Sequence, residues 1–291
     1  MYPDSRYITI HGLTLHFRVV MPASPVRHRV LLVASPGQST YNWRLLIPEL
    51  TGAGCQCVLC DLPGFGLSDC RDDAPQDHPT RAQFLWGLLD TLDMEDNGQL
   101  NCWHLMAHGS ACGTIAAMAA LQPDSTGSLM MLCPILYPVL PPFLKKLADR
   151  PATTRLIRAL LRRYVVPQQR FAKTASHLYG APVPEKALPR LHQTALSLVG
   201  HEEVLRRLLV DGYDADLSHL NDLFAPAMII WGKRDPILGG EIPARLRSRD
   251  FKTAEYHVLA SAGHCPAETH SQAVCDFLRG WIRELWAGGS D

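Results

Sequence analysis

Residues 103–117 read WHLMAHGSACGTIAA, and this stretch decides the fold. It begins as an apolar, strand-like run over residues 103–107. A cluster of very small residues follows: Gly109, Ser110, Ala111, Cys112 and Gly113. Ala116, Ala117, Ala119 and Ala120 then continue in a small-residue helical pattern. A strand that turns at once into a helix, with Ser at the corner, exposes a nucleophilic hydroxyl on a tight turn. The neighbours must be small because strand and helix backbones approach closely there.

Outward from this corner, strands and helices alternate. Upstream, residues 30–34 are continuously apolar, as a strand covered on both faces requires, and end in the turn Ser35-Pro36-Gly37-Gln38-Ser39. Residues 41–50 carry a helical pattern closed by Gly52 and Gly54. A buried strand at 57–60 leads into Asp61-Leu62-Pro63-Gly64-Phe65-Gly66-Leu67-Ser68, and 79–92 reads as a helix with Phe84, Leu85, Leu88, Leu89 and Leu92 on one face. Residues 7–10 and 13–20 alternate around His11-Gly12, a hairpin signal. Downstream, 128–132 is another apolar strand. Such alternation predicts an α/β fold with a doubly wound, mostly parallel sheet and right-handed crossovers.

From Pro134 the alternation stops. Residues 134–224 hold helical patterns at 143–148, 154–164, 187–198 and 203–209, entered through Tyr137-Pro138 and Leu140-Pro141-Pro142. The strand pattern resumes at 227–231, followed by Gly232-Lys233-Arg234-Asp235-Pro236. A short helix (242–247), a last strand (255–260), Ser261-Ala262-Gly263-His264 and an amphipathic helix (271–286) complete the chain. The expected organisation is a core of residues 1–133 and 225–291 with a helical cap of 134–224 inserted over the sheet.

Composition sets limits. Among 291 residues, 28 basic and 28 acidic side chains cancel, so no global field draws nucleic acid or an anionic membrane. Lys145, Lys146, Arg150, Arg155, Arg158, Arg162 and Arg163 make the cap locally basic and read as a solvated helix face. No apolar run approaches the ~20 residues a membrane helix needs, and MYPDSRYITI lacks the basic start and apolar core of a signal peptide. A cytoplasmic protein, monomeric or homodimeric, is expected, with a small-molecule substrate as its partner. Nine cysteines, mostly in strand-like runs, read as buried reduced thiols. Cys55, Cys57 and Cys60 lack a second pair to complete a tetrahedral metal set. Neither a metal nor a cofactor is expected.

Three strand ends carry candidate chemistry in the order Ser110, Asp235, His264. Loops at the carboxyl ends of parallel strands share one edge of an open sheet, so the three can meet. A hydroxyl needs an imidazole to take its proton and a carboxylate to fix that imidazole's tautomer. With 61–68, AHGSACGTIAAMAALQP (107–123), WGKRDP (231–236) and AGHCPAE (262–268), nearly the whole chain resembles the α/β-hydrolase superfamily, in its branch with a helical cap.

The resemblance implies a serine hydrolase cleaving an ester, thioester or related acyl bond of a small apolar substrate. In that reading Ser110 is the nucleophile, His264 the proton shuttle and Asp235 its orienting acid, with His104, His108 and His270 in other roles. The backbone N–H groups of Gln38 and Ala111 form the oxyanion hole, and Tyr137, Leu140 and Phe143 face the substrate.

Two departures from the family pattern stand out. The first glycine-rich turn opens Pro36-Gly37 rather than His-Gly. At the corner, small residues must flank the nucleophile, which favours Gly109 at the apex, while the hydroxyl belongs to Ser110. With Gly109 there, the oxyanion donor becomes the N–H of Ser110. Two further readings then open: a non-catalytic protein binding a small ligand or a partner under its cap, or a cofactor-independent general-base enzyme working through His264 and Asp235.

Overall fold

The computed structural model describes residues 4–95, 102–137, 142–211, 218–238 and 240–286. Its centre is an eight-stranded sheet: β1 (Ser5–Ile10), β2 (Leu13–Val20), β3 (His28–Val33), β4 (Cys55–Cys60), β5 (Trp103–His108), β6 (Thr126–Leu132), β7 (Ala227–Gly232) and β8 (Glu255–Leu259). The spatial order is β1-β2-β4-β3-β5-β6-β7-β8. The hairpin β1–β2 and the β2–β4 pair are antiparallel; every other pairing is parallel. This is the mostly parallel α/β sheet expected from the alternation.

The helices are α1 (Ile47–Gly52), α2 (His78–Glu95), α3 (Ala111–Leu121), α4 (Pro142–Ala148), α5 (Ala152–Tyr164), α6 (Gln168–Tyr179), α7 (Leu188–Leu196), α8 (Glu202–Asp211), α9 (Glu241–Arg245), α10 (Pro266–Thr269) and α11 (Ser271–Trp281). On one face of the sheet, Leu85, Leu88 and Leu89 of α2 and Ile115 and Met118 of α3 pack on Leu31, Leu105 and Leu129. On the other, Leu50 of α1 and Val274, Leu278 and Trp281 of α11 pack on Val30, Met106 and Ile230. Because side chains alternate along a strand, Cys55 and Cys57 enter this second layer while Cys60 enters the first. The three thiols therefore lie on opposite sides of the sheet.

The helix expected at 41–50 is instead a short 3₁₀ turn, Thr40–Trp43, followed by α1. Pro48 explains the break: without an N–H it is tolerated only in a first turn, and here it stands at the start of α1. Between β6 and β7, helices α4 to α8 cross the carboxyl edge of the sheet. One of them, α6, lies where no helix was expected from the sequence. Its apolar positions, Phe171, Ala175 and Leu178, nevertheless follow the spacing i, i+4, i+7 of an amphipathic helix.

Candidate active site

The corner after β5 resolves at Gly109. Its φ is +58°, a left-handed conformation that glycine adopts without steric cost. Ser110 already has helical angles (φ −70°, ψ −21°) and stands at the N-cap of α3. The apex is Gly109, and Ser110 is the first step into the helix. A Cβ on Gly109 would stand 2.6 Å from Ser35 Oγ and 3.6 Å from His264 Nε2. The place where an elbow side chain would sit is therefore bordered by a hydroxyl from the turn after β3 and by the imidazole after β8.

Asp235 follows β7 and His264 follows β8, so both reach the same edge. His264 Nδ1 lies 2.7 Å from Asp235 Oδ2, with the carboxylate fully buried at its side chain. The second oxygen, Oδ1, accepts the N–H groups of Ile237 (2.8 Å) and Leu238 (3.3 Å). The Asp235 carboxylate is thereby fixed in rotation. With Nδ1 committed to the carboxylate, Nε2 of His264 is the free ring nitrogen and faces the cavity.

Ser110 lines the same cavity, but no hydrogen bond joins its hydroxyl to His264 in this structure. Neither does the helix start use its hydroxyl as a cap. The first α3 amides with backbone acceptors are Cys112, bonded to Gly109 O (3.2 Å), and Gly113, bonded to Ser110 O (3.1 Å). The N–H groups of Ser110 and Ala111 precede them at the positive end of the helix, which favours developing negative charge. Gln38 is placed differently from the expectation. Its N–H donates to Ser35 O at 2.9 Å, closing the turn, so that amide is already committed.

Two glycines set the position of His264. A Cβ on Gly263 would meet the backbone of Tyr179 at 2.5 Å, and one on Gly232 would meet Gly263 O at 2.0 Å. The His loop is wedged between the end of β7 and the end of α6. Beneath it, His108 donates from Nε2 to the carbonyl of His264 at 2.6 Å, and the two rings meet edge-on with centroids 4.7 Å apart. Burial, reinforced by His264 nearby, pushes the His108 pKa down to about 3. His108 is thus a neutral strut with a fixed tautomer.

The cavity over this edge is about 330 Å³. Its walls come from Pro36 and Gln38 below and from Tyr164, Phe171, Leu178 and Leu191 of the cap above. Of the three side chains expected to face substrate, the two that are described lie elsewhere. Tyr137 donates its hydroxyl to Asp250 at 2.5 Å. Phe143 is 69% exposed on the outside of the cap. Leu140 lies outside the described residues. The cap wall comes from three helices, Tyr164 of α5, Phe171 and Leu178 of α6, and Leu191 of α7, rather than from the entrance to the cap.

Among the described residues, Cys133, Asp235 and His264 bring three metal-type ligand atoms within 4.8 Å of one another. Two of those atoms are spent on each other. Burial and the neighbouring Asp235 carboxylate raise the Cys133 thiol well above its ordinary value, which keeps it protonated. A thiolate is what a metal would need. The arrangement is chemically an acid–histidine pair beside a neutral thiol.

A mostly parallel sheet with helices on both faces, a tight turn after the central strand, and an acid–histidine pair beyond the next two strands define the α/β-hydrolase class. The alpha/beta hydrolase family model matches residues 30–277, and the chain belongs to that family; it is a hydrolase by class. A similar curated protein is the 2-hydroxy-6-oxononadienedioate/2-hydroxy-6-oxononatrienedioate hydrolase of Paraburkholderia phymatum, 26% identical over 86% of each chain. Among solved structures, the esterase of Exiguobacterium antarcticum superposes with a TM-score of 0.77 at 12% identity, covering 96% of this chain and 99% of that one. The thermophilic esterase of Thermogutta terrifontis gives 0.73 at 20% identity, covering 97% and 98%. At these identities the structures speak for the fold. No described helix is long and apolar enough to cross a membrane.

Proposed function

We propose that this protein hydrolyses an uncharged ester, or a related acyl bond, of a small apolar substrate, with the His264–Asp235 pair as its acid–base catalyst. One observation carries the reading: His264 presents Nε2 to an apolar cavity while Asp235 holds Nδ1 at 2.7 Å. A carboxylate in that position fixes the tautomer and stabilises the imidazolium formed when Nε2 takes a proton. Such a pair can activate an oxygen nucleophile and then protonate the leaving group.

The relative from Paraburkholderia phymatum is named for a dioate, a substrate with two carboxylates. Here no arginine or lysine stands among the described residues lining the cavity. Taking two carboxylates into an apolar site without paired charge is costly. The lining supports a neutral substrate, with Phe171, Leu178 and Leu191 against its apolar part.

The non-catalytic reading expects Gly109 at the apex, and the positive φ at Gly109 supports that reading. Against it stands the buried acid–histidine pair, whose free nitrogen opens on the cavity. The test is a panel of neutral and anionic p-nitrophenyl esters assayed with the native enzyme and His264→Ala. Hydrolysis of short neutral esters that disappears in the variant is the expected result. Equal turnover by both proteins, or none by the native one, would overturn it.

A further inference from the structure

With glycine at the apex, the His264–Asp235 pair needs an oxygen from somewhere else. Water is one source; of the hydroxyl residues lining the cavity, Ser35 and Ser110 stand at the Gly109 corner, and the others are Tyr164, Thr174, Tyr179 and Thr194. Neither Ser35 nor Ser110 hydrogen-bonds His264 in this structure, and Ser110 is held in the start of α3. Ser35 is different. Its Oγ stands 2.6 Å, and its Cβ 3.2 Å, from the point where a side chain on Gly109 would begin, and His264 Nε2 stands 3.6 Å from that same point. The hydroxyl of the turn after β3 thus occupies the space that the apex leaves empty, and only because the apex is glycine. Ser35 also lines the cavity, and among the described residues its hydroxyl has no hydrogen-bond partner.

We infer that Ser35 is the nucleophile, its hydroxyl standing in for the one the apex lacks. This rests on the acid–base role proposed for His264 and Asp235. The step calls for a staggered change of χ1, which turns Oγ about Cβ without moving the backbone, and resting structures often hold such contacts long. In the reaction Ser35 Oγ–H gives its proton to His264 Nε2 as Oγ bonds to the substrate carbonyl carbon. The carbonyl π pair moves onto oxygen, and the N–H groups of Ser110 and Ala111 face that charge. The pair then returns, the bond to the leaving alkoxide breaks, and His264 hands the alkoxide its proton. In a second pass His264 takes a proton from water as its oxygen bonds to the acyl carbon; the acyl–Oγ bond then breaks, His264 returns the proton to Ser35 Oγ, and the acid is released. Every proton and electron pair is accounted for within substrate, water and these side chains.

The experiment is labelling of the native protein with a fluorophosphonate probe, with the adduct located by peptide mass spectrometry. Native protein, Ser35→Ala, Ser35→Cys, Ser110→Ala and His264→Ala are compared, and thermal unfolding checks that each is folded. An adduct on Ser35 that is absent in Ser35→Ala and His264→Ala but kept in Ser110→Ala is expected. Ester hydrolysis should fall about 10³-fold in Ser35→Ala, while Ser35→Cys should still form an acyl–enzyme detectable by mass. An adduct on Ser110 overturns the inference. So does native-like hydrolysis by folded Ser35→Ala; if His264→Ala is then inactive, water is the nucleophile and the acid–base reading survives. Undiminished hydrolysis by His264→Ala defeats both.

Discussion

The backbone N–H of His264 donates to the carbonyl of Leu178 across 2.8 Å, fastening the loop that carries the imidazole to cap helix α6. Cap and sheet therefore share one element of the catalytic edge. The position of Nε2 depends on how α6 sits, as well as on the strand that precedes it.

Replacing Gly263 tests that coupling. An added Cβ meets Tyr179 carbonyl atoms at 2.5 Å and Gly180 N at 2.7 Å, all backbone. Backbone cannot rotate away, so the loop or α6 must shift. Gly263→Ala should lose about 1–3 kcal/mol of stability, with ester hydrolysis falling more than the stability loss explains. Gly280, in α11, is the internal control. A Cβ there meets nothing within 4 Å, and Gly280→Ala should gain roughly 0.5–1 kcal/mol from helix propensity. Thermal unfolding and turnover of both variants give the comparison.

Asp235→Asn should separate orientation from packing. Asparagine keeps a carbonyl oxygen for the N–H groups of Ile237 and Leu238. Its amide N–H₂ then faces His264 Nδ1 and forces the proton onto Nε2, the tautomer that cannot act as a base. Turnover should drop by a factor on the order of 10⁴, with a melting temperature close to native. A small loss of activity would show that Asp235 serves only structure.

Much of this edge was legible beforehand because strand ends in an open sheet meet by topology. Asp235 and His264 followed apolar runs whose length and spacing left little choice of position, and the sheet brought them together. Whether Ser110 or Gly109 took the apex was not decided by pattern. That depends on which residue bears the positive φ, and a one-residue shift preserves all the surrounding apolar periodicity. Ser35 escaped notice for a related reason. Its place beside Gly109 comes from packing between the turns after β3 and β5, some seventy positions apart in the chain, which no local spacing encodes.

Two buried histidines predict the acid limb of stability. Burial lowers both His104 and His108 from the ordinary 6.5 to about 3. The unfolded chain then binds more protons than the folded one between these values, so stability falls as pH drops from about 6.5 toward 3 and is fully present above 6.5. Between pH 7 and pH 5 each histidine should cost about 2 kcal/mol. Urea unfolding at both pH values, repeated with His104→Gln, should show the gap shrink by about that amount for one residue. An unchanged gap would mean that His104 titrates normally in the folded protein.

The cavity wall makes a prediction about substrate size. Leu191 is 6% exposed and lines the cavity, in one apolar cluster with Tyr179 and Cys265. Leu191→Trp should fill part of the volume, raising KM for butyrate esters more than for acetates while kcat changes little. Uniform loss of binding appears in KM, whereas damage to the chemical step appears in kcat. An equal fall of kcat for both esters would place Leu191 in supporting the catalytic loop instead of bordering substrate.

The relation between Gly109 and Ser35 makes the last prediction. Gly109→Ser alone must fit a Cβ 2.6 Å from Ser35 Oγ and hold a non-glycine residue at φ +58°. The backbone conformation alone costs roughly 1–2 kcal/mol, and the overlap adds to it. The single variant should therefore be less stable than the native protein and poorly labelled by a fluorophosphonate. Ser35→Gly in the same chain removes both overlapping atoms and leaves the new side chain 3.6 Å, measured from its Cβ, from His264 Nε2. The double variant should regain stability relative to Gly109→Ser and carry its adduct at position 109, because the pair that activates the oxygen has not moved. Additive losses in the two substitutions, with no adduct in the double variant, would show that the two positions do not share one space. Differential unfolding and peptide mapping of the four proteins form the double-mutant cycle that measures this coupling.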